Sequence, residues 1–188
     1  MIIHYIFFLI LISSTANSKN YNFEKLGSFS EPWGSSFISS EELIVTEKGG
    51  KIKIINIVSK NISEVEHNLN YFVHGQGGLL DIIHKDKKLW ISYSENRGDW
   101  KTSTSIAKAD LNKNSLNFKN IFQANPPIES GYHFGSRLAI KENYLFASAG
   151  ERGTNLFFIR YSSSLDLRIS FCFFSYALFS LSLLFFCC

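Results

Sequence analysis

A short strand-like run recurs three times in this chain, and this repetition limits the possible folds more than any other feature. The copies are Leu43-Ile44-Val45-Thr46, Leu89-Trp90-Ile91-Ser92 and Leu145-Phe146-Ala147-Ser148, spaced 46 and then 56 residues apart. Each copy follows a polar turn and an earlier apolar run, and each is soon followed by an acid, a base and a glycine. Similarity at such a period indicates one supersecondary unit that is stacked on itself.

Strand patterns fill most of the sequence around these copies. The earlier strands are predicted at Ser35 to Ile38, Leu79 to His84 and Arg137 to Ile140, and the later strands at Lys51 to Ile57, Ile62 to His67, Ser103 to Leu111 and Leu116 to Phe122. Four antiparallel strands in a repeat of about 40 to 50 residues are typical of a β-propeller blade. The sequence therefore predicts an all-β fold with two complete four-stranded blades and a third that stops after two strands. About two and a half blades do not close a ring, so we interpret the chain as the front part of a larger protein.

The composition agrees with one globular domain and argues against nucleic acid as a partner. The chain has 188 residues, of which 45% are hydrophobic and 15% aromatic, enough to build a core. The net charge is only +3, and the lysines are scattered between the strands. We therefore expect no nucleic-acid binding.

The amino terminus is typical of an export signal. Ile2 to Ile12 is apolar apart from His4, and the small residues Ala16 and Ser18 suit cleavage before Lys19. Residues 1–18 are therefore expected to be a signal peptide, and the protein to be periplasmic or secreted. The segment has no Lys or Arg before its apolar run, which is unusual for a signal peptide. The alternative is an uncleaved membrane anchor of similar sequence.

The carboxyl-terminal segment differs from the rest of the chain. Ile169 to Cys188 contains no charged residue and is long enough to cross a bilayer as a helix. All three cysteines (Cys172, Cys187 and Cys188) lie in it, and their arrangement indicates no disulfide framework. The abrupt change in composition also fits translation in a shifted reading frame. Residues 156–188 are thus expected to be an out-of-frame tail, which we favour, or a membrane-spanning segment, and residues 19–155 to be the partial propeller.

One predicted hairpin brings two ionisable side chains together. Two apolar runs flank the turn at residues 141–143, with His133 just before the first run and Glu151 just after the second. Since a hairpin joins its two ends, a base and a carboxylate are expected at the same rim of the sheet. We regard this rim as a candidate active site.

Four motifs in order carry a family resemblance. They are Pro32-Trp33-Gly34, Leu43 to Ile52 (LIVTEKGGKI), Gly75 to Asp81 (GQGGLLD) and His133 to Leu138 (HFGSRL). With LWISYS at Leu89 to Ser94 and SAGERG at Ser148 to Gly153, the chain resembles the soluble pyrroloquinoline quinone (PQQ) dependent sugar dehydrogenases, the glucose/sorbosone dehydrogenase family, over about residues 27–155.

The resemblance implies a fold and a reaction. Members have a six-bladed propeller with the quinone over the central channel, and they oxidise an aldose at C1 to the lactone, with hydride passing to PQQ and electrons to a periplasmic acceptor. His133 matches the catalytic histidine, and Glu151 stands where the family usually has an aspartate. Gln76 lies near cofactor and sugar by resemblance. Arg137 is expected to bind a cofactor carboxylate or to form a salt bridge between blades.

The resemblance also limits what this chain is expected to do. In the family the other groups that hold the quinone, and the backbone oxygens that place calcium on it, come from later blades, so we expect the chain alone to be inactive. No metal ligands are predicted here; His74 and His84 are taken as structural. Trp33, Trp90 and Trp100 are expected to pack between blades or to stack on a sugar, with packing as the default. The alternative function is a membrane-tethered extracellular fragment that binds carbohydrate or protein without catalysis.

Overall fold

The described residues form an all-strand structure. The computed structural model describes residues 22–153 and the backbone of residues 168–172, and these residues contain twelve strands in three sheets. Among them, no helix has the length and apolar character needed to cross a membrane. The predicted signal peptide (residues 1–18) and most of the apolar tail lie outside the described residues.

The three sheets follow one another along the chain and are called blades 1, 2 and 3. Blade 1 contains β1 (Pro32–Phe37), β2 (Glu42–Glu47), β3 (Lys51–Asn56), β4 (Ile62–His67) and β8 (Ser115–Leu116), in that spatial order. Blade 2 contains β5 (Leu79–Lys85), β6 (Lys88–Asn96), β7 (Thr102–Asp110) and β9 (Lys119–Gln123). Blade 3 contains β10 (Gly135–Lys141), β11 (Tyr144–Ala149) and β12 (Arg168–Cys172).

Blades 1 and 2 are each built on a four-stranded antiparallel meander, which confirms the predicted repeat. Neighbouring strands in each meander pair antiparallel with one another. The first strand of every blade carries a β-bulge near its start, at residues 32–34, 79–82 and 135–138. The bulge is thus a repeated feature of the blade and not an isolated irregularity.

The predicted strand from Leu116 to Phe122 is wrong as a single element. Its first part, β8, leaves blade 2 and pairs in parallel with β4 of blade 1, whereas β9 pairs with β7. This crossing buries Leu116 and Phe118 in the core between blades 1 and 2. The Asn68 side chain secures it by accepting from the Phe118 backbone N–H at 2.7 Å.

Blade 3 has one strand more than the sequence predicts. β12 pairs with β11 along five residues, and its direction is parallel, whereas the third strand of a meander is antiparallel. The added strand pairs with backbone groups along the free edge of β11, which explains why a segment lacking the repeat pattern joins the sheet.

The core consists of two clusters that lie between blades. Ile44 of blade 1 packs in one cluster with Ile82 and Leu89 of blade 2. Trp90 of blade 2 packs in the other with Leu138 and Leu145 of blade 3. Because blade 2 is covered on both sides, seven consecutive residues of β6 are buried. Each fully buried aliphatic side chain contributes about 1.5–3 kcal/mol, so the blades depend on one another for stability.

Candidate active site

The candidate site lies where the hairpin of blade 3 begins and ends. Gly135 pairs with Ala149, and the Gly150 N–H donates to the Phe134 carbonyl at 3.1 Å. A Cβ at Gly150 would clash with the backbone of His133, so only glycine allows the two chain segments to approach this closely. The hairpin therefore brings residues 133 and 151 to one rim, as the sequence predicts.

His133 and Glu151 form a direct side-chain pair. The imidazole Nδ1 contacts the Glu151 carboxylate Oε1, which leaves Nε2 as the ring nitrogen able to take a proton. The hydrogen bond from His133 lowers the pKa of Glu151 despite the opposing effect of its partial burial. The His133 side chain is 53% exposed and the Glu151 side chain 27% exposed. A carboxylate-oriented imidazole that is accessible from solvent is suited to general-base chemistry.

Gln76 holds the backbone that carries the imidazole. Its side-chain Oε1 accepts from the His133 backbone N–H at 2.9 Å. The backbone N–H of Gln76 donates to the Gly131 carbonyl at 2.7 Å. His133 has a left-handed backbone (φ 51°), which a non-glycine residue adopts at a cost and which these bonds help to hold. The glycine-rich loop and the histidine, 57 residues apart, thus form one site.

Arg152 is a site residue whose role the sequence does not predict. Its guanidinium is buried, lies 3.7 Å from the centre of the Phe134 ring, and donates to the carbonyls of Tyr132 (3.0 Å) and Ser130 and to the Thr102 hydroxyl (2.7 Å). Burial lowers the pKa of Arg152 to about 10. The residue fastens the loop that presents His133. The recurring acid, base and glycine after each second strand was the signal that could have drawn attention to it.

Arg137 lies on the same hairpin but makes a different contact. Its guanidinium is 3.3 Å from the Asp81 carboxylate of blade 2, which also accepts from the Leu138 N–H at 2.8 Å. A salt bridge between blades is one of the two roles expected for Arg137. Its side chain is 79% exposed, so the contact leaves most of that side chain accessible.

Aromatic rings surround the Gln76 loop and His133. The Phe72 ring lies 6.2 Å from the His74 ring and 5.7 Å from the Trp100 ring, and the Tyr132 ring lies 6.4 Å from the imidazole. Trp33, Trp100 and Tyr132 are exposed, so the packing expected by default for Trp33 and Trp100 is wrong, whereas Trp90 is buried as expected. Flat apolar rings beside polar groups are suited to binding a sugar.

Metal ligands and cofactor-binding groups were also sought among the described residues. Within the part of the chain that the structure describes, no three His, Cys, Asp or Glu side chains lie close enough to hold one. Gln76 and Arg137 are the exposed polar groups that we consider for an organic cofactor.

Comparison with known proteins identifies relatives of this chain. A family model described as Glucose / Sorbosone dehydrogenase matches residues 29–164. The aldose sugar dehydrogenase YliI of Escherichia coli (strain K12) is 30% identical over 131 residues, covering 64% of this chain and 35% of that protein. The chain thus spans about a third of the length of this curated relative.

Solved structures show the same fold. The apo form of the soluble aldose sugar dehydrogenase from Escherichia coli has a TM-score of 0.62 at 29% identity, covering 66% of this chain and 39% of that one. The PQQ-bound aldose sugar dehydrogenase from Streptomyces coelicolor has a TM-score of 0.59 at 19% identity, covering 68% and 40%, and supports the fold alone. With the family match spanning most of its length, this chain belongs to the glucose/sorbosone dehydrogenase family.

Proposed function

We propose that the rim of blade 3 is the proton-accepting part of a PQQ-dependent site that oxidises an aldose at C1 to the lactone. The observation that carries this proposal is the arrangement of His133, whose Nδ1 contacts Glu151 and whose backbone N–H is bound by Gln76. Relatives named as aldose sugar and glucose dehydrogenases support the substrate class.

The proposed chemistry uses Nε2 of His133, the ring nitrogen that does not contact Glu151. Oxidation at C1 removes the hydroxyl proton and the C1 hydrogen and leaves a C1 carbonyl. His133 takes the hydroxyl proton at Nε2, and the Glu151 carboxylate stabilises the imidazolium that forms. When bound, PQQ supplies the quinone that accepts the hydride. Gln76 holds the imidazole in position, and the exposed rings of Trp100 and Tyr132 offer the sugar an apolar face.

The described residues fit the quinone only in part. Arg137 would pair with one of its carboxylates, and the Gln76 amide would contact its polar edge. A tricarboxylate needs several cationic partners for tight binding. We therefore propose that the chain alone does not turn over substrate.

Two assays test this function. The full chain with PQQ, calcium, glucose and an artificial electron acceptor is expected to reduce no dye above background, and clear turnover would contradict the proposed inactivity. In the second assay, residues 29–153 replace the matching segment of the Escherichia coli relative. This chimera is expected to oxidise aldoses, and His133→Asn to lower its rate by about 100-fold or more.

A matched variant controls the second assay. His84→Asn changes another histidine, whose ring contacts the Phe37 carbonyl of blade 1, and is expected to leave the rate of the chimera unchanged. A folded chimera that binds PQQ but loses nothing on His133→Asn would show that His133 is not the base. A folded chimera that binds sugar without oxidising it would favour the non-catalytic binding function.

We also propose that the protein is exported and passes electrons to a periplasmic acceptor, since residues 1–18 fit a signal peptide. Fusion of residues 1–25 to a reporter that is active only outside the cytoplasm tests this. Reporter activity is expected, and its absence would contradict export.

A further inference from the structure

Arg152 is a buried cation that lies beside the segment presenting His133. The residue is 8% exposed, and cationic side chains are seldom buried to this extent unless a carboxylate pairs with them. Arg152 donates to neutral oxygens, which are the carbonyls of Tyr132, Ser130 and Thr102 and the Thr102 hydroxyl. An apolar side chain of similar volume often serves stability as well as a buried charge does. The guanidinium is therefore expected to have a role besides stability.

The first effect of this guanidinium is on the backbone just before His133. Its Nε donates to the carbonyl of Tyr132 at 3.0 Å. Its Nη2 donates at 2.7 Å to the Thr102 hydroxyl, which in turn donates to the Ser130 carbonyl at 3.1 Å. A planar guanidinium has five N–H donors in fixed directions, whereas a lysine ammonium is a point charge on a flexible stem. Arg152 can thus hold residues 130 and 132 against blade 2 at the same time.

The second effect is on the residue just after His133. The guanidinium carbon lies 3.7 Å from the centre of the Phe134 ring, and an aromatic face attracts a cation at this distance. The same ring packs against the backbone of Gly77, where a Cβ would lie 2.9 Å from the Phe134 Cζ atom. Because glycine has no Cβ, the ring can approach the loop at the residue that follows Gln76.

Several contacts therefore converge on His133. The Gln76 side chain accepts from its backbone N–H at 2.9 Å, and the Phe134 ring connects the guanidinium to the Gln76 loop. Arg152 holds the carbonyl of the preceding residue, and Glu151 contacts the imidazole. Two consecutive residues of one turn thus act on the same histidine, Glu151 on its ring and Arg152 on the backbone around it.

We propose that Arg152 is a positioning residue for the proton transfer assigned to His133, an inference that rests on the proposed function. Arg152 acts through the backbone before His133 and through the Phe134 ring after it, and it keeps the imidazole directed at Glu151. The conformation that it maintains is the left-handed backbone of His133 (φ 51°), which is unfavourable for a residue with a side chain. Without the guanidinium, the imidazole is expected to leave its position beside Glu151.

NMR of the full chain tests this positioning without turnover. The hydrogen bond from His133 is the largest effect that lowers the pKa of Glu151, so titration of the Glu151 carboxyl reports on the position of the imidazole. Arg152→Lys keeps the positive charge but loses the planar set of donors. Its Glu151 pKa is expected to rise toward the ordinary value, as in Arg152→Met. An unchanged pKa in both variants would show no positioning, and a rise in Arg152→Met alone would show an effect of charge only; either result overturns the proposal.

Two further comparisons make this test specific. Arg97 precedes the turn glycine of blade 2 as Arg152 precedes that of blade 3, and Arg97→Lys is expected to leave the pKa of Glu151 unchanged. Should the Arg152 variants fail to fold, Thr102→Val removes the hydroxyl that accepts from Arg152, whereas Thr102→Ser retains it. The Glu151 pKa is expected to rise in Thr102→Val only. An equal pKa in the two Thr102 variants would overturn the proposed route through residues 130–132.

Kinetics of the chimera with the Escherichia coli relative separate this inference from the proposed function. Arg152→Lys is expected to lower kcat about 10- to 100-fold, because a misplaced base loses rate, and to change KM by less than about twofold. If His133→Asn lowers the rate and Arg152→Lys does not, the inference fails and the proposed function stands. If His133→Asn leaves the rate unchanged, the proposed function fails, and the role of Arg152 in proton transfer fails with it.

Discussion

Two contacts position His133: Glu151 contacts its ring, and the Gln76 side chain binds its backbone N–H. The sequence could place all three residues at one rim, because hairpin ends meet and the glycine-rich loop resembles that of a known family. It could not predict which atoms meet. The Gln76 side chain binds the backbone N–H of His133, and such a bond across 57 residues depends on how two blades dock.

Removing the Gln76 side chain is expected to free the His133 backbone. In Gln76→Ala the exchange rate of the His133 amide proton is expected to rise about 2- to 12-fold, the range that corresponds to one net hydrogen bond. Gln76→Glu retains an acceptor oxygen and is expected to keep the slow exchange. Amide exchange followed by NMR measures this, with the Gly150 amide as internal control. Unchanged exchange at His133 in Gln76→Ala would show that the bond contributes nothing.

Tyr93 is expected to make folding sensitive to alkali. Burial, and the negative charge of nearby Glu95, raise the pKa of Tyr93, whose hydroxyl donates to the Asn120 side chain at 2.6 Å. The unfolded chain then loses this proton more readily than the folded one. The stabilising effect is complete below about pH 10 and is lost above it, by up to about 1.4 kcal/mol per pH unit.

Urea unfolding at pH 9, 10 and 11 measures this loss. Tyr93→Phe has no phenolic proton to lose, so its stability is expected to fall less steeply across this range. Parallel pH profiles for the two proteins would contradict the assigned role of Tyr93.

At the scale of the element, strands were predictable where the sequence repeats and not where it departs from the repeat. The first three strands of blades 1 and 2 lie close to their predicted positions because apolar residues mark their buried faces. The assignment failed at β8, where Leu116 is buried in the core between blades 1 and 2, and at β12, which joins blade 3 in a parallel direction. Both strands form because of long-range pairing, which the local pattern of apolar residues does not predict.

Gly34 sets the distance between β1 and β5. A Cβ at this position would lie 2.7 Å from the Asp81 Cα and 2.8 Å from the Leu80 carbonyl oxygen, both of them backbone atoms. Gly34→Ala is therefore expected to push the blades apart and to lower the free energy of unfolding by about 1–3 kcal/mol.

Gly49→Ala is the matched control, because a Cβ there meets no atom within 4 Å. Urea unfolding of both variants gives the comparison. An equal loss of stability in the two would show that the contact between the strands is not the cause.

At the scale of the molecule, stability is expected to be greatest in the middle. Blade 2 is covered by both neighbours, and its strand β6 is buried along most of its length, whereas β10 alternates between buried and exposed residues. Regions with fewer buried contacts open at lower free energy.

Hydrogen exchange measured by mass spectrometry is expected to reflect this order. Peptides from β6 should exchange most slowly and those from β10 and β11 faster. Equal protection of blades 2 and 3 would indicate one cooperative unit instead.

The return of β8 to the edge of β4 has a consequence for how such a chain can change during evolution. Two residues that follow β7 of blade 2 complete the sheet of blade 1, so the two blades are interleaved along the sequence. Neither can be duplicated, deleted or transplanted by itself without leaving an unpaired edge. The smallest portable module in this chain is therefore the pair of blades.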